Sequence, residues 1–192
     1  MTNGEHLKPK WFSESANWFV LFVRSRGEQQ IAEQIQSFLD PERYVVFCPT
    51  KDYAFKKNGV TTKRKGLWLD GYVFIVSMED EDEVRKMVSP IINRCDDIYK
   101  FLTYDNEQIK LIERDKAIMT ALLDAEFNIA ALKAVAVGDK VQITDDALKG
   151  FGGKVVKVNK HKQCATIQVN MFERTIECVV MLDFVEKVNA VQ

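Results

Sequence analysis

The side chains in this sequence best suited to chemistry are cations. Lys154, Lys157, Lys160 and Lys162, with His161 among them, run from 154 to 162 without an acid. Amines on turns and strand ends reach phosphates, and each phosphate neutralised steepens the salt dependence of binding. A second group, Lys51, Lys56, Lys57, Lys63, Arg64 and Lys65, contains one acid, Asp52, and is interleaved with Tyr53 and Phe55. A lysine-rich segment also works as a solvated edge that blocks sheet-to-sheet association, so each group has two readings. Neither spacing carries a base-reading rule.

Covalent chemistry is poorly served. The acids from Glu79 to Glu83 read as the start of a helix, where the helix dipole favours negative charge. No Ser or Cys nucleophile has an evident activating partner, and His161 has basic neighbours. Gly150 to Lys154 lacks the Gly-x-x-x-x-Gly-Lys-Ser/Thr spacing of a phosphate loop. The four cysteines, Cys48, Cys95, Cys164 and Cys178, form no Cys-x-x-Cys pair, and His6 and His161 are the only histidines. A zinc site is not expected, and the cysteines read as reduced core residues. The chain is expected to have no catalytic residue, no metal and no cofactor.

The totals narrow the field further. The 192 residues allow one domain or two small ones, and 46% hydrophobic residues suffice for a core. A formal charge of −1 excludes a uniformly basic coat, so any nucleic-acid contact must be local. Met1 to Lys10 is polar and not a secretory signal, and no apolar run nears a bilayer span. The expectation is a cytoplasmic monomer without membrane contact.

These side chains need elements to hold them. Residues 1–15 read as a loose leader. Asn17 to Arg24 is a strand whose continuous apolar run suggests cover on both faces. Glu28 to Leu39 is a helix with Ile31, Ile35, Phe38 and Leu39 on one face, stopped by Asp40 and Pro41. Tyr44 to Phe55 is a second strand, with Pro49 marking an edge or bulge. Leu67 to Val76 is a third, Glu79 to Val88 a short helix, and Ile91 to Leu102 holds the last strand. The order is β-α-β-β-α-β, the ferredoxin-like arrangement.

Alternation within the third strand would set Trp68, Tyr72 and Phe74 on one face, opposite Leu67, Leu69 and Val73. On an open sheet face such aromatics would make an exposed partner surface. Asp105 and Gln108 resemble a capping box opening a long helix striped by Ile109, Ile112, Ile118, Met119, Leu122 and Leu123. Residues 128–136 read as a linker. From Val137 the pattern is all strand, punctuated by Gly138, Gly150, Gly152 and Gly153, as in a small β-barrel closed by Val185 to Val188.

Three motifs of the first half, Trp18-Phe19-Val20, Phe47-Cys48-Pro49 and Gly71-Tyr72-Val73-Phe74, resemble signatures of the NusG family. Gly138-Asp139-Lys140-Val141 and Leu148-Lys149-Gly150-Phe151-Gly152-Gly153-Lys154-Val155 resemble its KOW motif. Lys160 to Ile167, Met171-Phe172-Glu173-Arg174 and Val188 are most similar to the LoaP group of specialised antiterminators. The resemblance implies an α+β protein: a polymerase-binding ferredoxin-like domain over 16–127, a linker over 128–136 and a KOW barrel over 137–188. It implies docking on the clamp helices of bacterial RNA polymerase through Trp18, Phe47, Trp68, Tyr72 and Phe74. It implies that a nascent RNA hairpin is held by Lys149, Lys154, Lys157, Lys160, His161, Lys162 and Arg174, giving read-through of terminators in long biosynthetic operons.

The chain departs from the family's Phe-Pro-Gly-Tyr, which is here Leu69-Asp70-Gly71-Tyr72, with a charge in place of a rigid proline. Two alternatives stay open. One is a general elongation factor of the same family whose KOW domain binds proteins. The other is a ribosome-associated RNA-binding protein. Val155 to Val169, rich in strand-forming residues, implies a stable barrel without a helical alternative.

Overall fold

The structure, a computed structural model, describes residues 10–105, 107–137, 140–144 and 154–184. In chain order its elements are β1 (Asn17–Val23), α1 (Glu28–Phe38), β2 (Tyr44–Phe47), β3 (Thr50–Lys57), β4 (Val60–Leu67), β5 (Tyr72–Ser77), α2 (Glu81–Ile92) and β6 (Ile98–Phe101). Then come α3 (Glu113–Leu122), β7 (Asn128–Ile129), β8 (Leu132–Val137), β9 (Lys140–Ile143), β10 (Lys154–Asn159), β11 (Cys164–Met171) and β12 (Arg174–Phe184). The chain forms two compact units that interleave in sequence. The first runs to Pro49 and takes up Leu67–Lys116 and Ala125–Phe127. The second holds Thr50–Gly66, Ala117–Asp124 and the chain from Asn128 onward.

The first unit is built on an antiparallel sheet in the order β2-β5-β1-β6, the ferredoxin-like order. Strand alternation sorts its side chains. Phe19, Leu21 and Val23 of β1 and Val73 and Ile75 of β5 join Ile31 and Ile35 of α1 and Val84 and Val88 of α2 in one core. Each such side chain, once buried, stabilises the fold by about 1.5–3 kcal/mol. Helix α2 begins where the acid run predicts, with the Asp80 carboxylate accepting from the Glu83 N–H at 2.9 Å. It runs through Pro90 to Ile92, past the expected stop. A proline this near the C-terminus interrupts only the last turn.

Glu28 fixes the opening of α1. Its side chain is buried, accepting from the Gly71 N–H at 2.7 Å and the Gly27 N–H at 3.1 Å. Gly71 sits at φ +79, a conformation that favours glycine. Burial pushes the Glu28 carboxyl up, but backbone hydrogen bonds, led by that from Gly71, outweigh it and leave the group below its ordinary 4.5. The stability it contributes is therefore complete above about pH 4.5 and is lost as pH falls through the lowered folded value. Glu28→Gln is expected to flatten the acid limb of a stability-versus-pH curve measured by urea unfolding. An acid limb unchanged in that variant would exclude Glu28 as a contributor.

Several elements differ from the sequence expectation, each for a tertiary reason. The second strand breaks at Cys48-Pro49 into β2 and β3. The third is interrupted by the turn at Gly71, so alternation does not carry from Trp68 to Tyr72. The long helix from Asp105 is only α3. Residues 107–111 instead run beside β1: Lys110 bridges Phe19, and the Leu111 N–H bonds the Trp18 carbonyl at 2.8 Å. The Glu81 carboxylate also takes the N–H groups of Ile109 and Lys110 at 3.1 and 3.3 Å. Within the expected leader, Lys10–Phe12 form a single turn before β1.

In the second unit, β3 and β4 form a hairpin around Asn58 and Gly59, at φ 52 and 79. Two residues at positive φ match the right-handed twist of the flanking strands. β3 continues into β7, paired parallel at Thr50↔Asn128 and Lys51↔Ile129. The expected linker over 128–136 is therefore strand, β7 and most of β8, because Ile129, Leu132 and Ala134 are buried.

A nearly closed, barrel-like sheet of five strands follows in the order β10-β11-β12-β8-β9. Its interior holds Ala165, Ile167, Val169 and Met171 of β11 with Cys178, Val180 and Leu182 of β12. Gly138, Asp139, Leu148 to Gly153 and the closing Val185 to Val188 lie outside the described residues.

Candidate functional site

The first unit gathers an aromatic cluster on the sheet face opposite its helices. Trp18 of β1 meets Phe47 of β2 edge-on, with centroids 5.6 Å apart, and Phe47 stacks on Phe74 of β5 at 5.5 Å. Phe12 and Phe127 complete it: Phe12 lies 5.6 Å from Trp18, and Phe127 stacks on Phe47 at 3.7 Å. The Trp18 indole N–H donates to the Trp11 carbonyl at 3.1 Å.

The structure brings Trp18, Phe47 and Phe74 together as expected, but does not expose them. Trp18 and Phe74 are 0% exposed, and Phe47, Trp68 and Tyr72 are buried too. The expected open aromatic patch is thus corrected. Residues outside the three motifs, Phe12 and Phe127, stack against this face. Trp68 lies outside the strand, in the turn before β5, with its indole N–H buried and unpaired. On the same face, near the ends of β1 and β5, half-buried Phe22 packs on buried Tyr72 at 5.1 Å, and the Lys100 amine lies 6.0 Å from the Phe22 ring centre. Phe22 was legible, since it shares the period-two face of Trp18; Lys100 had no such signal.

The second unit carries both basic groups. Around the β10–β11 turn, Lys157, Lys160, His161 and Lys162 are all exposed. The turn is fixed by the Lys162 N–H donating to the Asn159 side chain at 2.9 Å and the Gln163 N–H donating to the Lys160 carbonyl at 3.2 Å. Lys154 lies farther along β10, opposite Gln168. Arg174 pairs with Met171 at the far end of β11, more than about 20 Å from that turn by strand rise. The proposed RNA residues therefore divide between the two ends of β11, and Lys149 lies outside the described residues.

The other basic group forms the β3–β4 ribbon. Its root is Asp52, 1% exposed, which accepts from the Lys63 amine at 2.7 Å, the Asn128 side-chain amide at 3.2 Å and the Ala131 N–H at 3.1 Å. On the ribbon the Arg64 guanidinium lies 4.0 Å from the Phe55 ring centre.

Burial pushes the Cys48 thiol up to about 12 and the Cys178 thiol up to about 11, which keeps both protonated at neutral pH. Among the described residues, no group of three His, Cys, Asp or Glu side chains is placed to hold a metal, and no helix is long and apolar enough to cross a membrane.

The fold class is α+β, a ferredoxin-like unit and a barrel-like sheet, and family comparison carries the assignment further. The model of a family described as transcription termination factor nusG matches residues 16–120, more than half of the sequence. The chain belongs to the NusG family. A solved structure, described as domain interaction in Thermotoga maritima NusG, shares the fold with a TM-score of 0.54 at 16% identity, over 87% of this chain and 94% of that one. Comparison with curated proteins gave no match.

Proposed function

We propose that this NusG-family transcription factor is a specialised antiterminator. Its first unit docks on the clamp helices of RNA polymerase, and its barrel holds a hairpin of the nascent leader RNA. Polymerase then reads through terminators in long biosynthetic operons. The mechanism needs no bond-making. A protein bridging the clamp favours the closed, elongating state by binding it better than the open one. Holding the emerging RNA raises the local concentration of the factor at its own polymerase.

The observation that supports the reading is the acid-free β10–β11 turn, where Lys157, Lys160, His161 and Lys162 project from one tight, hydrogen-bonded corner. On the polymerase side, half-buried Phe22 is the partly accessible ring of the aromatic face, beside buried Trp18, Phe47, Tyr72 and Phe74, with Trp68 in the turn before β5.

The test is binding of the full chain to the leader hairpin and to a scrambled RNA of equal length. The hairpin is expected to bind more tightly at physiological salt. The combined substitution Lys157→Ala, Lys160→Ala and Lys162→Ala is expected to reduce the slope of log affinity against log salt by about two to three. Equal binding of the two RNAs would overturn the specialised reading.

A second reading has one observation in its favour. Val155, Val156, Val158 and Val179 are 37–49% exposed on the barrel strands. Apolar exposure of that kind suits a protein partner, as in a general elongation factor whose KOW domain binds proteins. Mixing the chain with ribosomal protein or termination factor, with RNA as competitor, separates the two.

A further inference from the structure

The β3–β4 ribbon has no part in the function proposed above. Its composition differs from that of the chain around it. Six cations, Lys51, Lys56, Lys57, Lys63, Arg64 and Lys65, stand against the single acid Asp52, giving the segment +5 in a chain of formal charge −1. Every residue from Lys56 to Lys65 is exposed. Lys63 is held by Asp52 at the root.

Solvation of an exposed edge would explain lysines but not the aromatic side chains between them. Tyr53 and Phe55 are two residues apart on β3, so they share one face, about 6.6 Å apart by strand rise. Tyr53 is 39% exposed, and its ring lies over Gly66, where an added Cβ would come within 2.9 Å of it. Gly66 thus leaves room for the ring to lie close against the backbone. Phe55 carries the Arg64 guanidinium at 4.0 Å, a flat cationic plate on an aromatic base. The face therefore offers two planar surfaces in series, the Tyr53 ring and the Arg64–Phe55 stack, flanked along β3 by Lys51 and Lys57.

We propose that this ribbon is a platform for single-stranded nucleic acid, with one base on Tyr53, the next on the Arg64–Phe55 plate, and phosphates along Lys51 and Lys57, which share the Tyr53 face of β3. Two features select a single strand. The spacing of the plates is about twice the 3.4 Å separation of stacked bases, which an extended strand meets and a duplex does not. Bases stack on aromatic rings and guanidinium planes only when they are splayed out of a helix. The platform is tolerant of sequence, because every base has a flat face.

The test uses the full chain carrying Lys157→Ala, Lys160→Ala and Lys162→Ala, so that the barrel's basic turn does not contribute. The probes are fluorescent 12-residue oligo(U) and oligo(dT) and a duplex of the same length, followed by anisotropy. Single strands are expected to bind more tightly than the duplex. Tyr53→Ala is expected to weaken single-strand binding about tenfold and Tyr53→Phe to leave it near the parent value. Lys57→Ala should lower the salt slope by about one. A stronger signal from oligo(U) or from oligo(dT) supports the platform and names RNA or DNA as its source. Photocrosslinking of 5-iodouridine-substituted oligo(U) should map to Tyr53. The proposal is overturned if Tyr53→Ala binds as the parent does, if Tyr53→Phe loses as much as Tyr53→Ala, or if the duplex binds as well as the single strands. Tyr53 is an exposed ribbon position, so these variants are expected to keep the parent's thermal midpoint.

Discussion

Trp18→Ala is expected to destabilise the first unit by about 3–5 kcal/mol, the range for removing a large aromatic side chain from a packed core. Trp18 is 0% exposed and touches three other rings: Phe12 and Phe47, both at 5.6 Å, and Phe127 at 6.1 Å. Those rings come from different parts of the chain and are seated by Trp18, so they cannot all close on the vacated space. The Trp11 carbonyl also loses its indole donor. Trp18→Phe should cost clearly less, because most of the ring volume and edge-on contact survive. Urea unfolding followed by circular dichroism measures both. A loss below about 1 kcal/mol for Trp18→Ala would mean that the cluster is not a core.

The second large effect is expected at Asp52. Asp52→Ala should cost about 3 kcal/mol or more, since removing one member of a buried, hydrogen-bonded charged set strands its partners. Asn128 would lose an acceptor at 3.2 Å, Ala131 an acceptor at 3.1 Å, and Lys63 its carboxylate at 2.7 Å. Asn128 is itself committed elsewhere, accepting from Thr50 and donating its backbone N–H to Asp124, both at 2.9 Å. It cannot turn to find a substitute. Lys63→Ala is the control. Its amine is largely exposed, so that loss should stay below about 1 kcal/mol. Equal losses for the two variants would show that the carboxylate serves only the lysine.

These two sites differ in how far the sequence reveals them. Trp18 lies in an apolar run, and its pattern names both the strand and the burial. Asp52 reads as a lone acid in a basic segment, and nothing local says that it is 1% exposed. Its partners Asn128 and Ala131 are distant in sequence, and such pairings leave no periodic trace. The same holds for residues 107–111. Their spacing is helical, but the Trp18 carbonyl and the Glu81 carboxylate draw their N–H groups into an extended path. The order of strands and helices was legible because it depends on alternation and turns. The covering of the aromatic face was not, because Phe12 and Phe127 lie outside the strands they cover.

The interleaving of the two units has a consequence for synthesis. Asp52 leaves the ribosome 76 residues ahead of Asn128, the side chain it must receive. At bacterial-scale elongation of about 5–20 residues per second, that interval is about 4–15 s. Throughout it the ribbon exists without the strand that seats it, its root carboxylate still in water and its cations already displayed. The first unit has the opposite schedule, since its sheet strands β1, β2, β5 and β6 are all made before β7 is translated. The order of emergence therefore displays the polycationic arm first as a nascent, unanchored hairpin, and β7 with the residues just after it fixes it in place.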